Sequence, residues 1–291
     1  MVLALILGSL SAVVWGIAST VFALPSRFIG ITRTVLWVGI GGASAGGVAA
    51  LTLEGPPRVA ADDLGWLAAS AGGILVASYT FSLLLSRSDV SLATPIVACD
   101  GAMAALAFIA AGDRLPVGVA AGLALMVLGL VITLRRPVPA LGVSALRRFS
   151  APVTVLVSLL SAGGYATMLF ASAHVEGLSP IWTVVFARGA VTLIALVACL
   201  ATRVVLAPGP RWAVGLAALA GILDASSFSL YLFAAEGNRA VAAVAVSQYG
   251  VVAALLGVLF LRERLGPVQA AGVVLLACGA ATVVVLATGL V

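Results

Sequence analysis

The sequence predicts an all-α membrane protein, with ten transmembrane helices arranged as two inverted five-helix repeats around a central cavity. Three observations predict it. Of the 291 residues, 63% are hydrophobic and 9% charged, with a mean hydropathy of +1.26, a balance that soluble globular domains do not reach. The apolar residues fall into ten runs, each long enough to cross a hydrocarbon core of about 30 Å at about 1.5 Å per helical residue. The two halves of the chain also match each other at a shift of 150 residues.

The runs lie at about 2–23, 33–53, 64–86, 90–111, 115–134, 152–173, 180–201, 212–235, 239–261 and 266–288. No positive residue precedes the first, and the first arginine, Arg27, follows it, so it reads as a retained helix rather than a cleaved signal. Between the runs stand short connections with turn chemistry: Glu54-Gly55-Pro56-Pro57, Ala207-Pro208-Gly209-Pro210 and Glu236-Gly237-Asn238. The fifth and tenth runs are preceded by Asp113 and Glu263, with Pro116 and Pro267 just inside. An acid there meets the positive end of the helix dipole, and proline suits a first helical turn. Nothing is left over for a water-soluble catalytic domain, and helices must supply the whole structure, because unpaired backbone is not tolerated facing lipid.

The repeat is carried by order and spacing. Asp113-Arg114-Leu115 falls on Glu263-Arg264-Leu265, Ala120-Ala121-Gly122 on Ala270-Ala271-Gly272, Leu125 on Leu275 and Gly129 on Gly279. Upstream, Gly73-Ile74-Leu75 and Ala77-Ser78 align with Gly221-Ile222-Leu223 and Ala225-Ser226 at a shift of 148. An odd number of spans per unit turns the second copy upside down relative to the first. Residues 1–134 form the first unit, 135–151 a basic connecting loop and 152–291 the second unit. Inverted repeats are characteristic of secondary transporters, whose substrate site lies near the bilayer midplane between the halves.

Charge distribution gives an orientation. The chain has 15 arginines and no lysine. Odd-numbered connections hold Arg27, Arg33, Arg87, Arg135, Arg136, Arg147, Arg148, Arg203, Arg211, Arg262 and Arg264, whereas even ones hold Arg58, Arg114 and Arg239. Positive-inside reasoning puts the odd connections, including the basic loop, in the cytoplasm of a plasma (bacterial inner) membrane, with both termini outside. Cys99, Cys199 and Cys278 all fall inside spans without paired spacing, as small buried thiols do. The sequence has no phosphate-binding loop, nucleotide fold or metal-ligand cluster. No cofactor, metal or nucleic acid is therefore expected, and energy must come from a gradient. The expected partners are the lipid bilayer and a small-molecule substrate, with the chain a monomer or homodimer.

The second half contains "YLFAAEGNRAVAAVAVSQYGVVAALLGVLFLRERLGPVQAAGVVLLACGAATVVV". With its Leu-x-Glu-Arg-Leu turn, a glutamine four residues after Leu265 and the Gly272 to Gly279 spacing, it resembles the EamA-type transporters of the drug/metabolite transporter superfamily. Trp15-Gly16 in the first span and Arg188 in the seventh also fit that family's pattern. The resemblance spans nearly the whole chain, and the order of the motifs is more specific than any one of them. It implies ten helices in two five-helix repeats around a central cavity, moving small metabolites. Gly250 stands where many members carry a proline in the ninth span, which removes the usual cause of a kink there. Members are described with cytoplasmic termini, whereas this chain's arginines put the termini outside.

Charges at mid-span cost roughly 2.5 to 3.5 kcal/mol each on insertion scales, so each needs a partner, a cavity or a function. Asp100, Arg188 and Asp224 qualify, and both acids fall near the midplane. Neither acid is repeated: Asp100 aligns with Gly250 and Asp224 with Val76. One reading makes Asp100 or Asp224 the proton-coupling carboxylate, since burial favours the neutral form of an acid, and lets Arg188 bind an anionic substrate group or hold one acid ionised. The other is a static Arg-Asp pair that fixes helix packing. Trp15, Tyr79, Tyr165, Tyr231, Gln248 and Tyr249 are candidate cavity-lining residues at matching depths.

Enzyme readings are weaker, and no enzyme activity is expected. Gly42-Ala43-Ser44-Ala45-Gly46 matches a nucleophile-elbow pattern, and His174 is the only histidine, but the motif lies inside a glycine-rich helix where small residues permit close packing. Two intramembrane aspartates are also found in aspartyl proteases, yet Cys-Asp-Gly and Leu-Asp-Ala are not the Gly-x-Gly-Asp pattern of those enzymes. His174 and Glu176 are expected at the interface, with pH sensing as a minor possibility. A membrane sensor or scaffold that does not transport is the remaining alternative.

Overall fold

The computed structural model describes residues 2–88, 90–113, 121–122, 124–125, 128–129, 132, 149–204, 206, 210–261 and 266–288. Among them the regular structure is helical. The first half supplies α1 (Val2–Phe28), α2 (Ile31–Leu53), α3 (Asp63–Arg87), α4 (Val90–Val97) and α5 (Asp100–Ala110). The second supplies α6 (Ala151–Ser172), α7 (Pro180–Ala201), α8 (Arg211–Gly237), α9 (Arg239–Val246), α10 (Tyr249–Phe260) and α11 (Pro267–Thr288). Among the described residues eight helices are long and apolar enough to cross a membrane, counting α4 with α5 and α9 with α10 as single spans. A shorter apolar stretch, Ala270–Gly279, lies in α11. The described positions between 121 and 132 are helical, and most of the expected fifth span and the basic loop 135–148 lie outside the described residues.

Local chemistry sets several ends. Gly30 takes φ +83°, a left-handed conformation open to glycine, and turns α1 into α2. The Ser179 hydroxyl accepts from Trp182 N ahead of Pro180 at the start of α7, and Asn238 Oδ1 accepts from Val241 N at 2.9 Å to begin α9. α1 runs several residues past the expected end of its span. Pro25 lies inside it, and its carbonyl still receives Ile29 N at 2.9 Å, because proline removes a donor and not an acceptor.

Two spans are broken near their middles. In the fourth, Pro95 sits in α4 and the ladder tightens where Cys99 N bonds Ile96 O at 3.2 Å. The ninth breaks at Ser247–Gln248 without a proline: Gln248 N reaches Ala245 O at 3.3 Å, and the Ser247 hydroxyl takes Val244 O at 2.7 Å. The broken spans cross at their breaks. A Cβ on Gly250 would lie 3.0 Å from Pro95 Cα, and one on Gly101 2.6 Å from Ser247 Cβ. Glycine at both positions is what permits that approach. α4 packs on α10 and α5 on α9.

The connections gather at two ends. Asp63 accepts from Glu176 N and Gly177 N at 3.0 and 2.9 Å, and Trp182 Nε1 donates to Gly55 O at 3.0 Å, which joins the second and sixth connections. At the other end Arg27 Nε donates to Leu85 O, Trp37 Nε1 donates to Leu206 O, and Arg87 lies 5.1 Å from the Phe149 ring centroid. Small residues set the closest helix approaches. α1 runs along α8 and α3 along α6, with Gly73 and Gly164 backbone to backbone, while α2 presses Gly41 and Gly42 onto the α8 backbone. α2 is unbroken through Gly42–Gly46, so Ser44 is on a helix and on no nucleophile turn. Cys99 and Cys199 are buried free thiols, but Cys278 is exposed, a departure from the expectation that all three are buried.

Candidate functional site

Three helices converge on the middle of the bundle. α1 delivers Trp15, α7 delivers Arg188 and α8 delivers Asp224, all buried. Arg188 Nη2 and Asp224 Oδ2 form an ion pair. Trp15 Nε1 donates to the other carboxylate oxygen, Oδ1, at 2.8 Å. The guanidinium carbon lies 5.9 Å from the Phe228 ring centroid, and Arg188 Nε has no hydrogen-bond partner among the described residues. Asp224 and Phe228 are four residues apart on one face of α8, so they meet the same arginine. Ser227, between them in the same turn, exchanges hydrogen bonds with Ser11 of α1: each hydroxyl donates to the other's carbonyl at 2.7 Å.

Asp100 is fully buried and not lipid-facing. It begins α5 immediately after the break in the fourth span. Its Oδ1 accepts from Gly101 N at 2.6 Å, and its Oδ2 accepts from Tyr249 Oη at 3.2 Å. Arg188 therefore goes to Asp224, and Asp100 is held by a phenol and a peptide. The acids are joined through aromatics: the Tyr249 ring lies 5.4 Å from Trp15, whose indole holds Asp224. Tyr165 packs edge-on against Trp15 at 5.7 Å and hydrogen-bonds with Ser78.

The other sequence candidates make no recorded hydrogen bond to either acid. Tyr231 is buried, but its hydroxyl donates to Leu169 O at 2.9 Å and so ties α8 to α6. Tyr79 is half-buried and hydrogen-bonds with Thr32, near one end of the bundle. Gln248 lines a small space with Pro95, Ala98, Ser247, Val251 and Leu276, and its Nε2 has no partner among the described residues. His174 lies between the rings of Trp66 and Phe108, at 4.8 and 5.8 Å, with Nδ1 donating to Phe170 O at 2.8 Å. Among the described residues no cluster of His, Cys, Asp and Glu has the makings of a metal site.

A vestibule of about 290 Å³ opens at the end where the even connections meet. Glu176, Glu236 and Arg239 stand at its wall, with Arg239 paired to Glu176 at 3.8 Å. Thr183 also lines it, and Arg188 is five residues further along α7, roughly 7.5 Å deeper.

The model of the EamA-like transporter family matches residues 152–285. This stretch is an EamA-like transporter family domain. The EamA-like domain contains Arg188, Asp224, Tyr165, Tyr231, Gln248 and Tyr249, whereas Trp15, Tyr79 and Asp100 come from the first half. The chain is also similar in fold to a solved structure described only as a "Crystal structure of protein", at 18% identity, with 99% of each chain covered and a TM-score of 0.71. No curated protein matches it. With eight membrane-length apolar helices among the described residues, this is an integral membrane protein, and its EamA-like second half points to transport across the bilayer.

Sequence reasoning missed Phe228, Ser11, Ser227 and Gly101. The first and third carried a signal, since positions three and four after a mid-span acid share its helix face. Ser11 sits four residues before Trp15 and carried the same signal on α1. Gly101 carried none.

Proposed function

We propose that the chain is a secondary-active transporter that moves a small organic solute (a metabolite, amino acid or drug-like compound) outward by alternating access between two inverted five-span units, residues 1–134 and 152–291. The observation that carries this reading is the buried Arg188–Asp224 pair, held by an indole from the opposite half inside a transporter-family fold. A charged pair in the bilayer interior is retained against a cost of several kcal/mol only where it has work to do.

The inverted arrangement draws support from the packing. Exchanging the halves exchanges the α1–α8 contact with the α6–α3 contact and the α4–α10 contact with the α9–α5 contact. The breaks at 98–99 and 247–248 occupy corresponding positions, and broken helices beside a midplane site are a transporter feature. In the fifth and tenth spans, a Cβ on Gly129 would lie 2.7 Å from Gly272 O. Within this frame Arg188 receives an anionic group of the solute in exchange for Asp224. Asp100, which has no cation among its contacts with the described residues, takes up and releases the coupling proton. Trp15, Tyr165 and Tyr249 form the aromatic wall. The arginine distribution favours termini on the outer side of a plasma (bacterial inner) membrane.

The test is solute flux in proteoliposomes under an imposed pH gradient, with protein abundance scored separately. Asp100→Asn is expected to assemble normally and to lose proton-driven flux while retaining exchange of solute for solute. Undiminished proton-driven flux in that variant removes Asp100 from the coupling role. Solute binding without flux in the unaltered protein refutes transport and leaves a sensor.

A further inference from the structure

Beyond the central site, the outer face of α8 carries a second feature. At its middle α2 is pressed onto α8: a Cβ on Gly42 would lie 2.8 Å from Gly221 O. One turn later the helices have parted. At Gly46 the nearest atom is Val185 Cγ2 of α7 at 3.0 Å, and at Gly47 there is nothing within 4 Å. The divergence leaves a wedge of about 330 Å³ between α2, α7 and α8, lined by Ala45, Ala49, Ile181, Ile222, Ser226 and Phe233 among others.

Three properties of the wedge select its occupant. No charged side chain lines it, and its hydroxyls are spent on their own helix: Ser226 Oγ donates to Ile222 O at 2.8 Å and Ser229 Oγ to Ala225 O at 3.0 Å. It therefore offers a polar ligand no hydrogen-bond donor. The wedge is continuous with the lipid-facing surface, where Val48 is 64% and Ile222 40% exposed. Its length fits one leaflet. From Ile222 to Phe233 is eleven residues of α8, roughly 16 Å, against about 15 Å for half of a 30 Å hydrocarbon core. Its outer end reaches Ile181, the second residue of α7, and its inner end lies two residues from Asp224.

We infer that this wedge binds one acyl chain of a phospholipid from the leaflet on the side of the even connections. The chain fills the gap that α2 leaves and lies along Ala225, so it supports α8 from behind at the residue next to Asp224.

Photolabelling tests this in the full-length protein. It is reconstituted in phosphatidylcholine vesicles with a trace of phosphatidylcholine bearing a diazirine midway along one acyl chain, and adducts are mapped by peptide mass spectrometry. The reference is the exposed, convex face of α6 at Leu156 and Leu160. The expected result is labelling of Ile222–Phe233 well above the α6 reference. In Ala45→Leu/Ala49→Leu, which fills the wedge, it falls to the reference level with α6 unchanged. Equal labelling of the two faces in the unaltered protein overturns the proposal, and that ratio stands even where the filled variant folds poorly. Wedge labelling that survives filling overturns it too. Neither readout involves flux, so a failed transport assay leaves this result standing.

Discussion

Asp224 and Asp100 are both buried near mid-span and neither recurs at the aligned position of the other half, yet the protein treats them in opposite ways. Asp224 faces a full cation and an indole N–H, so its charge is matched where it stands. Asp100 faces a phenol and a peptide N–H, with no cation among its contacts with the described residues. Removing the charge of a matched carboxylate alone strands a buried arginine without its counter-charge. An acid held by neutral donors changes protonation state without breaking an ion pair. The two sites thus divide holding charge from exchanging it, and the division sets what each substitution does.

The largest effect is expected at the pair. Arg188→Met leaves Asp224 buried without its cation, and breaking one side of such a pair costs about 3–5 kcal/mol. The loss should be read as a lowered Tm and reduced abundance. The double variant Arg188→Met/Asp224→Leu should recover most of that stability, because replacing both charges with apolar groups is often close to neutral, while flux stays absent. If the double variant is no more stable than the single, the pair is not what holds α7 to α8, and the contrast with Asp100 loses its first term.

The crossing of the broken spans comes next. Gly101 follows Asp100 and meets the backbone of α9 at Ala243, with Ser247 Cβ 2.6 Å from where a side chain would start. Gly101→Val forces these half-helices apart, and overpacking of this kind typically costs 1–3 kcal/mol. The cost should appear as a lower Tm with the Arg188–Asp224 region intact. In a background with Trp37, Trp66, Trp182 and Trp212 replaced by phenylalanine, the emission of Trp15, the indole held by Asp224, should change less than in Arg188→Met. A larger change in Gly101→Val would mean that the two acids are not separate sites.

How far the sequence reveals this follows from what hydropathy encodes. Span lengths were legible because lipid imposes a run of apolar residues whatever the helix packs against. The candidate charges were legible because each is conspicuous in such a run. The partner of Arg188 was not, since depth along a span leaves open which face a residue occupies, and both acids lie at similar depth. For the same reason Tyr79 and Gln248 were grouped with Trp15, although the helix rotation sends one to Thr32 and the other to the α4–α10 side. The break in the fourth span was readable from Pro95. The break in the ninth was not, because it depends on a serine bonding back to its own helix and on a glycine that accepts another helix, and both residues are ordinary in a membrane span.

The smallest effect on stability is also the one that best separates the two acids. Tyr249→Phe deletes the hydroxyl that donates to Asp100 and keeps the ring against Trp15, so the aromatic link to Asp224 survives. Hydrogen bonds between helices in a bilayer average only about 0.6 kcal/mol, so Tm should scarcely move. The phenol is nevertheless the one side-chain donor recorded at Asp100 among the described residues, and an acid that loses it holds its proton on different terms. Proton-driven flux should therefore change its dependence on pH while solute-for-solute exchange keeps its rate. Trp15→Phe provides the mirror case: it removes a donor from Asp224 but leaves Arg188 in place, so the ion pair should carry that site through with its pH dependence intact. If the two variants instead alter the pH dependence equally, both carboxylates exchange protons and the division of labour between them fails.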